Sequence, residues 1–184
     1  KQVTYTVNTV NKIQATAPVL GNTTCSYDGH AHAVSMTSSG VGGTLQYRAS
    51  TNGGASYSAW QAMPPSITNY EEATNGTLYV QAQVAGDSKH TDSEIITATA
   101  HVSAAAMTIT GSTDYTGTYD RQAHGVEITA TTTASGAEVY YSELALTENN
   151  YNTDGSTTPI TVTNVSESKT IYWYIKSNNS NYAD

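Results

Sequence analysis

The chain has 184 residues, of which only 12% are charged, with 7 Lys and Arg against 15 Asp and Glu and a formal net charge of −8. That balance offers no basic surface to neutralise a phosphate backbone, so nucleic acid and anionic membranes are not expected partners. No apolar run approaches the ~20 residues that cross a bilayer as a helix, and the single cysteine, Cys25, excludes an internal disulfide and a cysteine-based zinc centre within one chain.

From the start, Val3, Tyr5 and Val7 alternate with Thr4, Thr6 and Asn8, which predicts a half-buried strand over Gln2 to Val10. A second extended piece, Ile13 to Ala17, runs to a turn at Gly21. Next comes Tyr27-Asp28-Gly29-His30-Ala31-His32-Ala33-Val34, which returns 92 residues later, half the chain length, as Tyr119-Asp120-Arg121-Gln122-Ala123-His124-Gly125-Val126. The same offset pairs Gln2 with Glu94, Val10 with Val102, Ser88 with Ser180 and Asp92 with Asp184, so the sequence reads as two tandem copies of one unit. A unit of that size buries roughly 60 to 70% of its unfolded surface, enough for a core of its own.

The Asp28-Gly29 dipeptide supplies a turn with positive φ before a strand that places Val34 and Met36 on one face. Arg121 replaces Gly29 in the second copy, which predicts a different turn type there, while Val126 and Ile128 keep the strand pattern. After Gly40 to Gly43, Leu45, Tyr47 and Ala49 alternate with Gln46 and Arg48, and Val139 and Tyr141 match Leu45 and Tyr47. Asn52-Gly53-Gly54 reads as a hairpin tip returning through Tyr57 and Trp60, where the second copy has a longer loop, Glu148 to Gly155. Pro-led segments follow at Pro64 to Asn69 and Pro159 to Asn164. The clearest strands then bury Leu78, Val80 and Ala82 in one copy and Ile171, Trp173 and Ile175 in the other, with Tyr79 and Tyr172 facing the opposite way.

Short strands at spacings of roughly 8 to 12 residues, without helical periodicity, predict an all-β chain of two tandem immunoglobulin-like antiparallel β-sandwiches. Ala104 to Ala106 is too short to nucleate a helix. The strand Ile95 to Val102 suits either the end of the first domain or the start of the second. On the first choice, residues 1–17 are a strand of a preceding repeat or a linker, 18–102 the first domain, and 103–184 a second domain that lacks its last strand and so has an open edge.

The runs Tyr27 to His32, Leu45 to Gly54, Tyr57-Ser58-Ala59-Trp60 and Pro65-Ser66-Ile67-Thr68 resemble the immunoglobulin-like repeats of large bacterial surface proteins, most closely the MBG/YDG type named partly for its Tyr-Asp-Gly turn. Asn181-Tyr182 matches the closing Asn-Tyr of that pattern, whereas Lys89-His90-Thr91-Asp92 and Arg121 depart from it. The resemblance implies an exported stalk or adhesin module with no catalytic residues, in which the strand after the Asn-Tyr run closes the domain. Abundant Thr, Ser, Asn, Gly and Tyr fit an extracellular β-protein, and a chain that opens on a strand pattern without a signal peptide reads as a mature or excised piece of something longer.

Candidate sites are few. Tyr57 and Trp60, beside the loop in which the copies diverge, are the expected ligand-binding pair if the module takes a glycan, because amphipathic rings stack on sugars. Tyr70, Tyr79, Tyr172 and Tyr174 have the same chemistry, but most of these rings are expected to cover a core that has no Phe. His30 and His32, two apart on a strand, with Asp28, fall short of a metal set, and no metal or cofactor is expected. Asp87, Asp92, Glu94 and Asp114 lack the spacing of a calcium loop and read as a solvated acidic joint, and the pair Glu71-Glu72 as a solvated face. Lys89 and Lys169 lack the apolar context that an amide crosslink to Asn requires. No nucleophile elbow, zincin motif or phosphate loop is present, so the sequence is not expected to be an enzyme. The sequence therefore predicts an exported spacer whose partners are neighbouring repeats, with glycan binding as the alternative.

Overall fold

The computed structural model describes residues 2–6, 9–111, 114–130 and 137–184. The protein is all-β, 41% strand with almost no helix. It divides into two compact units, Lys1–Ser103 and Ala104–Asp184.

The first unit contains β1 (Ile13–Gln14), β2 (Val19–Gly21), β3 (Thr23–Ser26), β4 (His32–Ala33), β5 (Ser35–Ser38), β6 (Gly43–Ser50), β7 (Ser66–Ile67), β8 (Thr77–Gly86), β9 (His90–Thr91) and β10 (Ile96–Ser103). Its largest sheet has the order β3-β10-β8-β6. Alternation along the strands decides which face is buried: Leu78, Val80, Ala82 and Val84 of β8, Ala98, Ala100 and Val102 of β10, and Tyr47 of β6 turn inward. They pack against Val34, Ile67 and Leu20 from the smaller β2-β5 and β4-β7 pairs. Arg48, Tyr79 and Gln81 lie on the other side of the sheet, none of them fully buried.

The second unit contains β11 (Ala105–Ala106), β12 (Ile109–Thr110), β13 (His124–Gly125), β14 (Thr129–Ala130), β15 (Glu138–Ser142), a single helical turn α1 (Tyr151–Asp154), β16 (Thr161–Val162), β17 (Tyr172–Lys176) and β18 (Tyr182–Ala183). Its core is smaller, with Ile128, Tyr141 and Ile175 buried and Met107, Val126, Ile160, Ile171 and Trp173 packed partly buried around them.

The register of the second unit follows that of the first. The parallel pairs Ile13↔His90 and Gln14↔Thr91 reappear 92 residues on as Ala105↔Tyr182 and Ala106↔Ala183. His32↔Ile67 is matched by His124↔Val162, and Tyr47↔Ala82 by Tyr141↔Trp173. The bridge Tyr47↔Gln61 is matched by Tyr141↔Ser156.

Four expectations need correction. Gln2–Thr6 and Thr9–Val10 form no strand, and Val3, Tyr5 and Val10 are 62, 86 and 89% exposed; Val7 and Asn8 of the same prediction lie outside the described residues. An alternating pattern makes a strand only where a sheet edge receives it. In the first unit the place beside β8 is held by Ile96–Ser103, the segment aligned with Gln2–Val10.

Second, the Asp120-Arg121 turn is not of a different type: Arg121 has φ +66 where Gly29 has φ +79. Asp120 fixes that geometry by accepting from the Gln122 N–H at 2.8 Å and from the His124 ring at 2.8 Å, as Asp28 does from His30 and His32. The turn is therefore set by the aspartate, and Arg121 bears the steric cost that glycine avoids.

Third, Met36 pairs with core-packed Leu20 and its sulfur accepts from the buried Tyr47 hydroxyl at 3.4 Å, so it keeps the face shared with Val34 but only at the margin of the core, 46% exposed. Fourth, the hairpin return through Tyr57 and Trp60 is not a strand. It touches β6 through the two hydrogen bonds of the Tyr47–Gln61 bridge, both 2.8 Å, and through Ser58 to Ala49.

Two outcomes follow. Arg121→Gly is expected to stabilise the second unit by about 1 kcal/mol, because relief of left-handed strain exceeds the added chain entropy; chemical denaturation of the variant against wild type measures it. Ile67→Ala, at a site 1% exposed, is expected to destabilise the first unit by about 3 kcal/mol through the cavity it leaves. The two indoles, Trp60 and Trp173, report one unit each. In denaturant-dependent NMR the Trp60 signal should then shift its midpoint while that of Trp173 does not.

Candidate functional site

The predicted pair Tyr57 and Trp60 is brought together in the first unit, with Arg48 as the residue that joins them. The loop tip is built first. Gly53 and Gly54 take φ +73 and +86, the Ser50 hydroxyl accepts from the Gly54 N–H at 3.0 Å, and Asn52 accepts from the Ser56 N–H at 3.1 Å. This brings the chain back across the outer side of β6 with both rings half-buried. The Arg48 guanidinium carbon lies 4.5 Å from the Trp60 ring centroid and 5.1 Å from that of Tyr57, and Arg48 Nε donates to Gln81 Oε1 on β8 at 2.8 Å. Arg48 thus has one donor committed to the sheet and a face of each ring over its cation, an arrangement worth about 0.5 to 1 kcal/mol per contact at an exposed site.

The second unit covers the matching sheet surface differently. Tyr140 and Tyr174 stand opposite each other in register on β15 and β17. Tyr151 of α1 packs edge-on to Tyr140 and stacked on Tyr174, each at 4.9 Å between centroids. Burial first, then the hydrogen bond to Asp184 at 3.1 Å, pushes the Tyr174 hydroxyl up to about 12. Sequence reasoning named Tyr174 among the amphipathic rings but missed Tyr140 and Tyr151 beside it; the alternation that places Tyr140 beside Tyr174 was the available signal.

A second constellation occurs in both units at the Asp-Gly or Asp-Arg turn. Next to β7, the Thr68 N–H and Asn69 Nδ2 donate to the Glu72 carboxylate at 2.9 and 2.7 Å. Next to β16, Glu167 accepts from the Thr163 and Asn164 N–H groups at 3.0 and 3.2 Å and from Asn164 Nδ2 at 2.9 Å. Those bonds, the Asn164 side chain foremost, hold the Glu167 carboxyl down to about 2. The spacing Thr-Asn-x-x-Glu recurs in the sequence, so this cap was legible there, although Glu71-Glu72 read as a solvated pair. In the second unit a cleft of about 250 Å³ lies between the turn and the cap, lined among others by Tyr115, Tyr119, Asp120, His124 and Glu167. The Tyr115 and His124 rings stack at 4.1 Å over it. Its carboxylates are already engaged by their own loops.

The remaining candidates are local. Asp28 receives His32 at 2.9 Å and lies 3.5 Å from His30, and the His32 hydrogen bond, then the His30 N–H, lowers its carboxyl below the ordinary value. Asp87 accepts from the N–H groups of Lys89 and His90 and from the His90 ring, and Asp92 accepts from the Gly86 N–H. Among the described residues no three His, Cys, Asp or Glu side chains gather into a metal-sized group. Lys169 pairs with Glu143. Cys25 donates weakly to the His101 carbonyl at 3.6 Å, and burial followed by the Asp28 charge raises its thiol above the ordinary value, which lowers its reactivity.

Comparison with protein-family models, curated proteins and solved structures finds no match to the chain.

The Glu167 cap gives a signed pH dependence. Its folded carboxyl is depressed, so its stabilisation is present above the ordinary value of 4.5 and is lost as pH falls through about 2. The gap in melting temperature of the second unit between wild type and Glu167→Ala should be constant above pH 4.5 and close towards pH 2; calorimetry across that range reads it.

Proposed function

We propose that the chain is a load-bearing spacer of an exported surface protein, built as tandem immunoglobulin-like β-sandwiches that hold another domain away from its anchor. The observation that carries this reading is the placement of the parallel pairings. Three strand pairs are parallel among the described residues: β1 with β9, β3 with β10, and β11 with β18. Each joins an early strand of a unit to a late one. The other strand pairs of the described residues are antiparallel.

Force applied to the two ends of a unit pulls such a pair along the strand direction. Its hydrogen bonds then share the load in shear, where an antiparallel hairpin pulled at its open end loses them one at a time. Supporting this reading are the matched registers 92 residues apart, the low charge, and the resemblance to bacterial surface repeats. The aromatic clusters fit it as well, since Arg48 over Trp60 and Tyr57, and Tyr151 over Tyr140 and Tyr174, fasten loops to the sheet.

Single-molecule extension of the chain between its termini tests the proposal. Two unfolding steps are expected, each releasing roughly 30 nm of chain. The first unit, with six parallel residue pairs against two, should give way at the higher force. Unfolding of both units without a resolved force peak would overturn the load-bearing role.

A further inference from the structure

We propose that Arg48, held by Tyr57 and Trp60 on the outer side of the first unit's sheet, binds the carboxylate of an acidic sugar. The guanidinium is oriented but not paired. Its carbon lies 4.5 and 5.1 Å from the Trp60 and Tyr57 ring centroids, and its Nε donates to Gln81 Oε1 at 2.8 Å. Among the described residues no acceptor takes its Nη N–H groups and no carboxylate pairs with it, whereas Lys169 and Lys176 are engaged by Glu143 and Asp184. Two rings and one hydrogen bond therefore fix the plane of a fork whose outer donors are free. A planar guanidinium held in this way meets a carboxylate through two parallel hydrogen bonds, and loses less side-chain entropy on doing so than an unrestrained arginine.

The surroundings select the kind of anion. β3, β6, β8 and β10 contain no Asp or Glu, and Arg48 is their one Lys or Arg, on a chain of net charge −8. A single fixed cation in a neutral field suits a ligand with a single carboxylate, because a polyanion needs a row of cations and meets the repulsion of the whole chain. Register arranges the neutral groups around it. Gln81 and Thr97 continue the rung of Arg48 across β8 and β10, Tyr79 and Thr99 share the next outward rung on one side, and Gln46 and Gln83 the next on the other. Gln83 is 8% exposed, and among the described residues its amide has no hydrogen-bond partner. A buried amide left unpaired costs free energy that a partner from outside the chain removes. Several hydroxyls around one carboxylate are what a uronic or sialic acid presents to such amide and hydroxyl groups. Tyr57 and Trp60 then act as the support of a cation, a chemistry different from ring-on-sugar stacking.

The site asks nothing of the spacer reading, so a pulling experiment and a binding experiment fail separately. NMR titration of the isotope-labelled full chain with sialyllactose and, separately, with a glucuronyl disaccharide tests the proposal and tells the two acids apart. At least one of them is expected to shift the Arg48 Nε–H and Trp60 indole signals, saturating around roughly 1 mM, with the Trp173 indole unmoved. Lactose lacks the carboxylate and should bind about tenfold more weakly. Arg48→Lys keeps the charge but not the fork, and should also weaken binding about tenfold. Gln83→Met keeps the shape and removes the unpaired amide, so it should weaken binding about threefold while raising the urea midpoint of the first unit, a combination that a purely structural glutamine would not give. The Met chain keeps Arg48 and its rings, and so reads the site even if the Lys chain loosens the loop. No shift at Arg48 with either saccharide, an equal response to lactose, to acetate or to a glutamate-rich peptide, or undiminished binding in either variant would overturn the proposal.

Discussion

The backbone pairing of Ile96–Ser103 with Thr77–Gly86 is the constraint on which the first unit rests. It carries Ala98, Ala100 and Val102 into the core at 4, 0 and 0% exposure, and it seals Val80 and Ala82 beside them. Through its other edge it holds Thr23–Ser26 in parallel, which ties the early part of the unit to the late part. The small Ala side chains let the smaller strand pairs approach, so that Val34 and Ile67 fill the space above the sheet. Among its described residues the second unit keeps the register with fewer buried residues, and its Trp173 is only partly covered.

Within that frame the two units solve one problem with different chemistry. The outer side of each central hairpin has to be tied to the loop that crosses it. The first unit uses a cation between two rings, the second three tyrosines, so the loops diverge in sequence while the backbone bridges Tyr47↔Gln61 and Tyr141↔Ser156 persist. Packing of large amphipathic rings tolerates such exchange because the ring supplies area while the neighbouring polar group supplies direction.

Much of this was legible in the sequence where periodicity and burial coincide. The alternations around Tyr47, Val80 and Tyr141 gave the inward faces, because a strand with one buried face must alternate. The pattern at Val3 and Tyr5 was equally clear, yet these residues lie outside any sheet, since alternation states what a segment can bury and not whether a partner is present. Arg121 misled because residue type at a turn is a preference, whereas the Asp120 hydrogen bonds to Gln122 and His124 are a constraint. The Glu72 and Glu167 caps had a signal in the repeated Thr-Asn-x-x-Glu spacing, but it was read past, because exposed carboxylates look solvated until the backbone groups they bind are placed. Of the candidate site, Tyr57 and Trp60 were found by residue type, but Arg48 between them became visible only once the return of the loop was known.

The parallel joining of early and late strands also bears on how the chain comes to fold. For a polypeptide made from its N-terminus, Thr23–Ser26 finds its mate only after Ser103 has emerged, and Ile13–Gln14 only after Thr91. Contacts between such distant parts of the sequence form slowly, because the intervening loop must be closed before any pairing repays it. Until then the unit can hold only its antiparallel pairs, β2 with β5, β4 with β7 and β6 with β8, and the core face of Thr77–Gly86 stays unsealed, so the release of Ser103 is the step that completes the fold.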